Sequence, residues 1–492
     1  MKNKLRYLIL LLVLAQLVCA FAGCSDKDKS GTVTDDGLDD ETYETDDYTK
    51  DSIPDQDFPY REITMLLRGQ SSDKVAPASF GDGTNELLMT TYSRYEDYKE
   101  RFNVDINVVL EAGDWAGMGA FNSRVENFLA GGERLDMICA FSLCPSVLAV
   151  NGYLYNLSDL EYPEVGKAWW SDSISEWEQH GNLFFVASNS SMSMIDNLEV
   201  MFVNQSIFAD YSLQNPVDLV LSGEWTYAKM AELVTTFDNS GTDASTLMYG
   251  LVVDDFSRMD AFYYSAGFRN TKNNENGVAE YAVATQTEFD RITSYIDKLV
   301  ALFNSSSATV TKDSDNVLLM REKKTAIMVS LLGRLPEMQD TDYTPIPLPK
   351  LDETQESYLT THANGFDMWC IPITAPEPEF SGMLIEGMGS SDYNVIAPFY
   401  FENYLAMRYS ANEEGYEIFN MIRSSVVYDF GRISQGTLLG YVAESPFRSC
   451  FWDSETDSPY AQNRFVTKYD ENKDRANELL ADLLKKYANA GN

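Results

Sequence analysis

The chain has 492 residues, with 76 acidic side chains against 37 Lys and Arg and a formal net charge of −39. Nucleic-acid binders need clustered positive charge, so that partner class is excluded. The two histidines, His180 and His362, are too far apart for zinc-type spacing, and no metal or cofactor is expected.

In chain order, Lys2, Lys4 and Arg6 precede an apolar run from Leu8 to Val18, which is the build of a secretory signal. The run is too short for a spanning helix, which needs about 20 apolar residues. Phe21-Ala22-Gly23-Cys24 resembles a bacterial lipobox, with Phe21 where leucine is usual. The resemblance implies cleavage after residue 23, a diacylglycerol on Cys24, and a lipid-anchored protein on the extracytoplasmic face of the cell membrane. From residue 24 to 59 the chain is acidic and poor in aliphatic residues, so it reads as a disordered tether. Cys139, Cys144, Cys370 and Cys450 declare no disulfide framework and read as free, mostly buried thiols.

About 430 residues remain, which suits two lobes better than one core. Glu62 to Leu67 reads as a strand, and Tyr92, Tyr95, Tyr98 and Phe102 recur at helical spacing. "VDINVVL" (104–110) is a strand, "FNSRVENFLAGG" a helix ending at its glycines, and "LDMICAF" (135–141) another strand. This alternation predicts a parallel α/β sheet, with ligands outside the carboxyl ends of its strands. Segments 183–187 and 199–204 read as strands separated by the polar loop "SNSSMSMIDN". Helices are expected over 225–238 and 287–303, and "TAIMVSLL" is a buried strand. Two apolar helices are expected within 381–409, and "NELLADLLKKYA" closes the chain as an amphipathic helix.

Several passages resemble bacterial extracellular solute-binding proteins of the family 1-like, carbohydrate-importer kind. They are "GGERLDMICAFSLCPSVLAVNGYLYNLSDL", "GNLFFVASNSS" with "LEVMFVNQSIFADYSL", "GEWTYAKMAELVTTF", "KKTAIMVSLLGRLPEM" with "DYTPIPLPKLDETQESYLT", and "NGFDMWCIPITAPEPEFSGMLIEGM". They recur in family order over residues 60 to about 430, without the usual proline of the second passage. The resemblance implies an α/β, two-lobe periplasmic-binding-protein-like fold (type II) with lobes joined by hinge crossovers. It places the first lobe at 60–190 and 370–432 and the second at 191–369 and 433–492. It further implies capture of a sugar or oligosaccharide by hinge closure, an ABC permease as partner, and a monomer.

No nucleophile elbow, phosphate loop or H-E-x-x-H motif occurs, so no catalytic residue is assigned and the chain reads as a non-enzyme. Sugars combine apolar C–H faces with hydroxyls, so aromatic and polar side chains in sheet-end loops are the candidates. These are Asp114 and Trp115 after the second strand, Ser142 after the third, and Arg258, Asp260 and Tyr263 after "YGLVV". Arg334 after "AIMVS", with Asp367 and Trp369 in the return segment, completes the set. Trp169-Trp170 is the rival aromatic pair and reads as part of a surface helix. Two other readings stand beside uptake: a surface glycan hydrolase, and a sensory or adhesive glycan-binding protein.

Overall fold

The computed structural model describes residues 49–490 except 242, 244, 245, 284, 312–314, 339, 340, 403–412, 438–446, 448, 449, 454 and 457. The signal segment, Cys24 and most of the tether therefore lie outside the described residues. Apolar runs become strands β1 (Arg61–Arg68), β2 (Val104–Glu111), β3 (Met137–Phe141), β4 (Glu199–Asn204) and β5 (Tyr249–Asp254). Further along are the hairpin strands β6 (Thr271–Asn273) and β7 (Ala279–Tyr281), then β8 (Ala308–Thr311), β9 (Thr325–Leu331), β10 (Tyr343–Ile346) and β11 (Asp367–Cys370). The first sheet runs β11-β3-β1-β2, with β2 and β3 parallel to β1 and β11 antiparallel to β3. The second runs β10-β4-β9-β5-β8, with β5 parallel to both β8 and β9 and β4 antiparallel to β9. Strand β11 ends at Cys370 and so spans the lobe boundary expected between 369 and 370.

Helix α1 (Glu86–Phe102) starts where the Asn85 side chain accepts a hydrogen bond from the Leu88 amide. It ends at Asn103 in the left-handed conformation. It buries Leu87, Tyr95, Tyr98 and Phe102, while Tyr92 is half-buried with its ring 5.8 Å from that of Phe80. Helix α2 (Met118–Gly131) and the short α3 (Cys144–Val150) complete the alternation around the first sheet. The stretch read as a polar loop contains a helix, α4 (Met192–Asn197), capped by Ser191, whose hydroxyl accepts from the Met194 amide. Then come α5 (Pro216–Leu221), α6 (Tyr227–Thr235), α7 (Gln286–Phe303), α8 (Pro378–Ser391), α9 (Glu413–Ser424) and α10 (Phe465–Ala490). Trp169 and Trp170 lie in irregular chain rather than a surface helix. Both are buried, and Trp170 Nε1 donates to Glu386 at 3.0 Å. All four described cysteines are buried free thiols.

Strand β5 sits so close to α6 that a Cβ on Gly250 would fall 2.2 Å from the Val234 carbonyl oxygen and 2.7 Å from its Cα. The obstacle is backbone, which no rotamer change relieves. Gly250→Ala is therefore expected to cost about 1–3 kcal/mol of stability by overpacking. The check is a lower urea midpoint at unchanged slope.

Candidate functional site

Both sheets bring a buried acid to the carboxyl ends of their parallel strands in the same way. An antiparallel strand begins there, so its first side chain meets the last residues of its neighbours. In the first sheet that residue is Asp367, opposite Phe141; in the second it is Glu199, opposite Leu331. Each acid finds an arginine. Arg68, the last residue of β1, forms an ion pair with Asp367, and both side chains are at most 5 % exposed. Arg68 Nε also donates to Ser71 at 2.8 Å, and Ser71 donates to Asp367 Oδ1 at 2.9 Å. Across the second sheet, Arg258 Nη1 donates to Glu199 Oε1 at 2.9 Å. A third pair joins Arg334 Nε to Asp254 Oδ2 at 3.7 Å, and Ser330 donates to the same oxygen at 2.5 Å.

Helix α4 ties the two sheet ends together. Ser193 accepts from the Asp367 amide at 3.1 Å, and the Leu198 carbonyl accepts from the Leu332 amide at 2.8 Å. Asp196 pairs with Lys74 at 2.6 Å and accepts from the Tyr400 hydroxyl. The approach leaves no room for side chains: a Cβ on Gly333 would lie 2.8 Å from the Asp196 carbonyl oxygen. The arginines at these ends therefore all face carboxylates, and Arg334 also pairs with Glu337 at 2.9 Å. Among the described residues, Asp367 Oδ2 and Glu199 Oε2 are buried carboxylate oxygens without a hydrogen-bond partner. Burial pushes the Glu199 carboxyl up, against the opposing pull of Arg258 and Arg432.

Among the residues expected from sequence, Arg258, Arg334 and Asp367 are the paired groups just described. Ser142 is buried and donates to the Asn364 carbonyl at 2.7 Å, holding the segment that leads into β11. Asp114 is exposed and caps its own loop, accepting from the Gly117 amide at 2.7 Å. Trp115 stands beside it, 52 % exposed. Asp260 is buried at the start of a short helix. Tyr263 and Trp369 are committed to the interior. The Tyr263 ring packs on Phe268 and Phe447 and its hydroxyl donates to the Arg269 carbonyl, while Trp369 is buried in β11 opposite Cys139. Sequence reasoning missed Arg68, Glu199, Lys74 and Asp196. A charge ending or opening an otherwise apolar strand, as in "EITMLLR" and "EVMFV", was the available signal for the first two. Among the described residues no group of three His, Cys, Asp or Glu side chains could hold a metal, and no helix is long and apolar enough to cross a membrane.

No family model matches the sequence, and no curated protein matches it either. Solved structures do match. The cyclic α-maltosyl-1,6-maltose binding protein of Arthrobacter globiformis aligns at TM-score 0.54 and 11 % identity, over 87 % of this chain and 100 % of that one. The galacto-N-biose/lacto-N-biose I-binding protein of the ABC transporter from Bifidobacterium longum aligns at 0.53 and 12 %, over 88 % and 99 %. A cyclo/maltodextrin-binding protein complexed with maltotetraose aligns at 0.53 and 11 %, over 86 % and 96 %. The chain thus has the two-lobe α/β fold of solute-binding proteins.

Proposed function

We propose that this two-lobe chain captures a neutral, hydroxyl-rich ligand, a sugar or oligosaccharide, between its lobes at the strand carboxyl ends. Hinge closure would then present the loaded form to an ABC permease. The observation that carries this reading is the balance of charge. Arg68, Arg258 and Arg334 each face a buried carboxylate, and Arg334 pairs with Glu337 as well, so none of the three is left to attract an anion. The oxygens Asp367 Oδ2 and Glu199 Oε2 are enclosed acceptors, suited to hydroxyl donors that would reach them only as the lobes open. The exposed indole of Trp115 can stack on a sugar's C–H face. The names of the structural neighbours, all binders of neutral glycans, support the same class.

A thermal-shift panel tests it. Neutral oligosaccharides are expected to raise the melting temperature, since a ligand at a hundred times its Kd stabilises by about 2.7 kcal/mol. Uronides, amino acids and polyamines should leave it unmoved. A shift with an anionic or cationic ligand alone would sink the neutral-sugar reading. Trp115→Ala is expected to weaken the glycan response at least about tenfold while leaving the unliganded melting temperature within about 1 °C, because exposed positions contribute little stability.

We also propose that the mature protein begins at Cys24 and hangs from the outer face of the membrane by the acidic tether. Wild-type protein should label with a palmitate analogue and Cys24→Ser should not. Equal labelling of both would remove the anchor.

A further inference from the structure

Away from the strand ends, a cavity of about 640 Å³ opens where the chain crosses between the sheets. Its walls are Ser171 and Ser173, the end of α5 through Gly223, the segment 356–359, and the end of α9 through Val427. At its edge two crossing segments join as one short ladder. The Thr360 amide donates to the Ser425 carbonyl and the Val427 amide to the Thr360 carbonyl, both at 2.9 Å, and the two hydroxyls of Thr360 and Ser425 meet at 2.9 Å. The lining shares no residue with the three arginine–carboxylate pairs.

Its chemistry is uneven in an informative way. Serine supplies six of the lining residues, and the hydroxyls of Ser173, Ser357 and Ser424 make no hydrogen bond among the described residues. Val220, Leu359 and Met421 supply apolar surface. The one charged lining residue is Glu356, with no Lys, Arg or His, so an anion finds no counter-charge. A purely apolar molecule would strand the hydroxyls, at a cost typical of unsatisfied polar groups. The volume falls within the range of small-molecule sites.

We infer that this cavity is a second small-molecule site, for a hydroxyl-bearing molecule of one or two sugar rings that carries no negative charge. Its occupant touches both crossing segments. If the lobes close as proposed above, occupancy and closure are coupled reciprocally; the existence of the site does not rest on that reading.

The test uses the full soluble chain from residue 25, carrying ¹³C-methyl methionine, with glucose and maltose as probes and inorganic phosphate as the anionic control. Met421 lines the cavity and Met118 follows the Trp115 loop, so the two methyl groups report the two sites separately. The Met421 resonance should move saturably with at least one sugar and not with phosphate. Filling the cavity by Ser424→Trp, or by Ser222→Trp should the first fold poorly, should abolish that response, whereas Trp115→Ala should preserve it. A Met421 methyl that stays still with both sugars, or that responds equally in the filled variants, overturns the inference. A Met421 response in a protein whose Met118 never answers to any glycan would uphold this site and sink the strand-end reading instead.

Discussion

Arg68→Ala is expected to lower the unfolding free energy by about 3–5 kcal/mol, the usual consequence of leaving a buried charge without its partner. The Asp367 carboxylate is 3 % exposed and would keep only Ser71 as a side-chain donor. Arg68 also donates to the Gly365 carbonyl, so the same change loosens the segment entering β11. The loss should be much larger than the worth of the pair itself. Replacing both partners by apolar residues of similar size, Arg68→Met with Asp367→Leu, should recover more than half of it, since removing both charges also removes their desolvation cost. Urea denaturation of the single and double variants measures this. An Arg68→Ala cost below about 1 kcal/mol would mean the pair behaves as an exposed one. The double variant should nevertheless fail to bind glycan, because it removes the Asp367 acceptor.

The strands were legible because each is a local apolar run: "EITMLLR", "MICAF" and "AIMVSL" stand out against polar surroundings and become β1, β3 and β9. Helix α4 was not, since "MSMIDN" carries no helical stripe. It is held by the Ser191 cap and by partners such as Asp367 and Leu332 that are far away in sequence. The same distance hid the site. Glu199 and Arg258, or Arg68 and Asp367, meet only because antiparallel strands deliver acids to the carboxyl ends of parallel ones, and single-sequence patterns do not carry that pairing. Aromatic residues misled for a different reason. Trp115 and Trp369 look alike as sugar platforms in sequence, yet one is half exposed and the other belongs to the core of the first sheet.

Glu199 and Arg258 should respond unequally to mutation, and the inequality should depend on pH. Glu199 is fully buried, while the Arg258 side chain keeps 19 % of its exposure. Arg258→Ala therefore strands a carboxylate in the interior and is expected to cost about 3 kcal/mol near neutral pH. The value sits at the low end of that range because Arg432 still lies close enough to favour the charge. Glu199→Gln leaves an arginine that water can reach, so it should change stability by no more than about 1 kcal/mol. Burial already holds the Glu199 carboxyl above its ordinary range in the folded protein, and removing Arg258 raises it further. A carboxyl raised on folding contributes its stability below its unfolded value of about 4.3 and loses it as pH climbs through the folded value. The penalty of Arg258→Ala should accordingly be small at acid pH and grow toward pH 8, whereas that of Glu199→Gln should shrink over the same interval. Denaturation midpoints of the two variants against wild type across that range decide it. A pH-independent Arg258→Ala penalty would show that Glu199 does not depend on Arg258 for its charge, and the charge balance that favours a neutral ligand would lose one of its three supports.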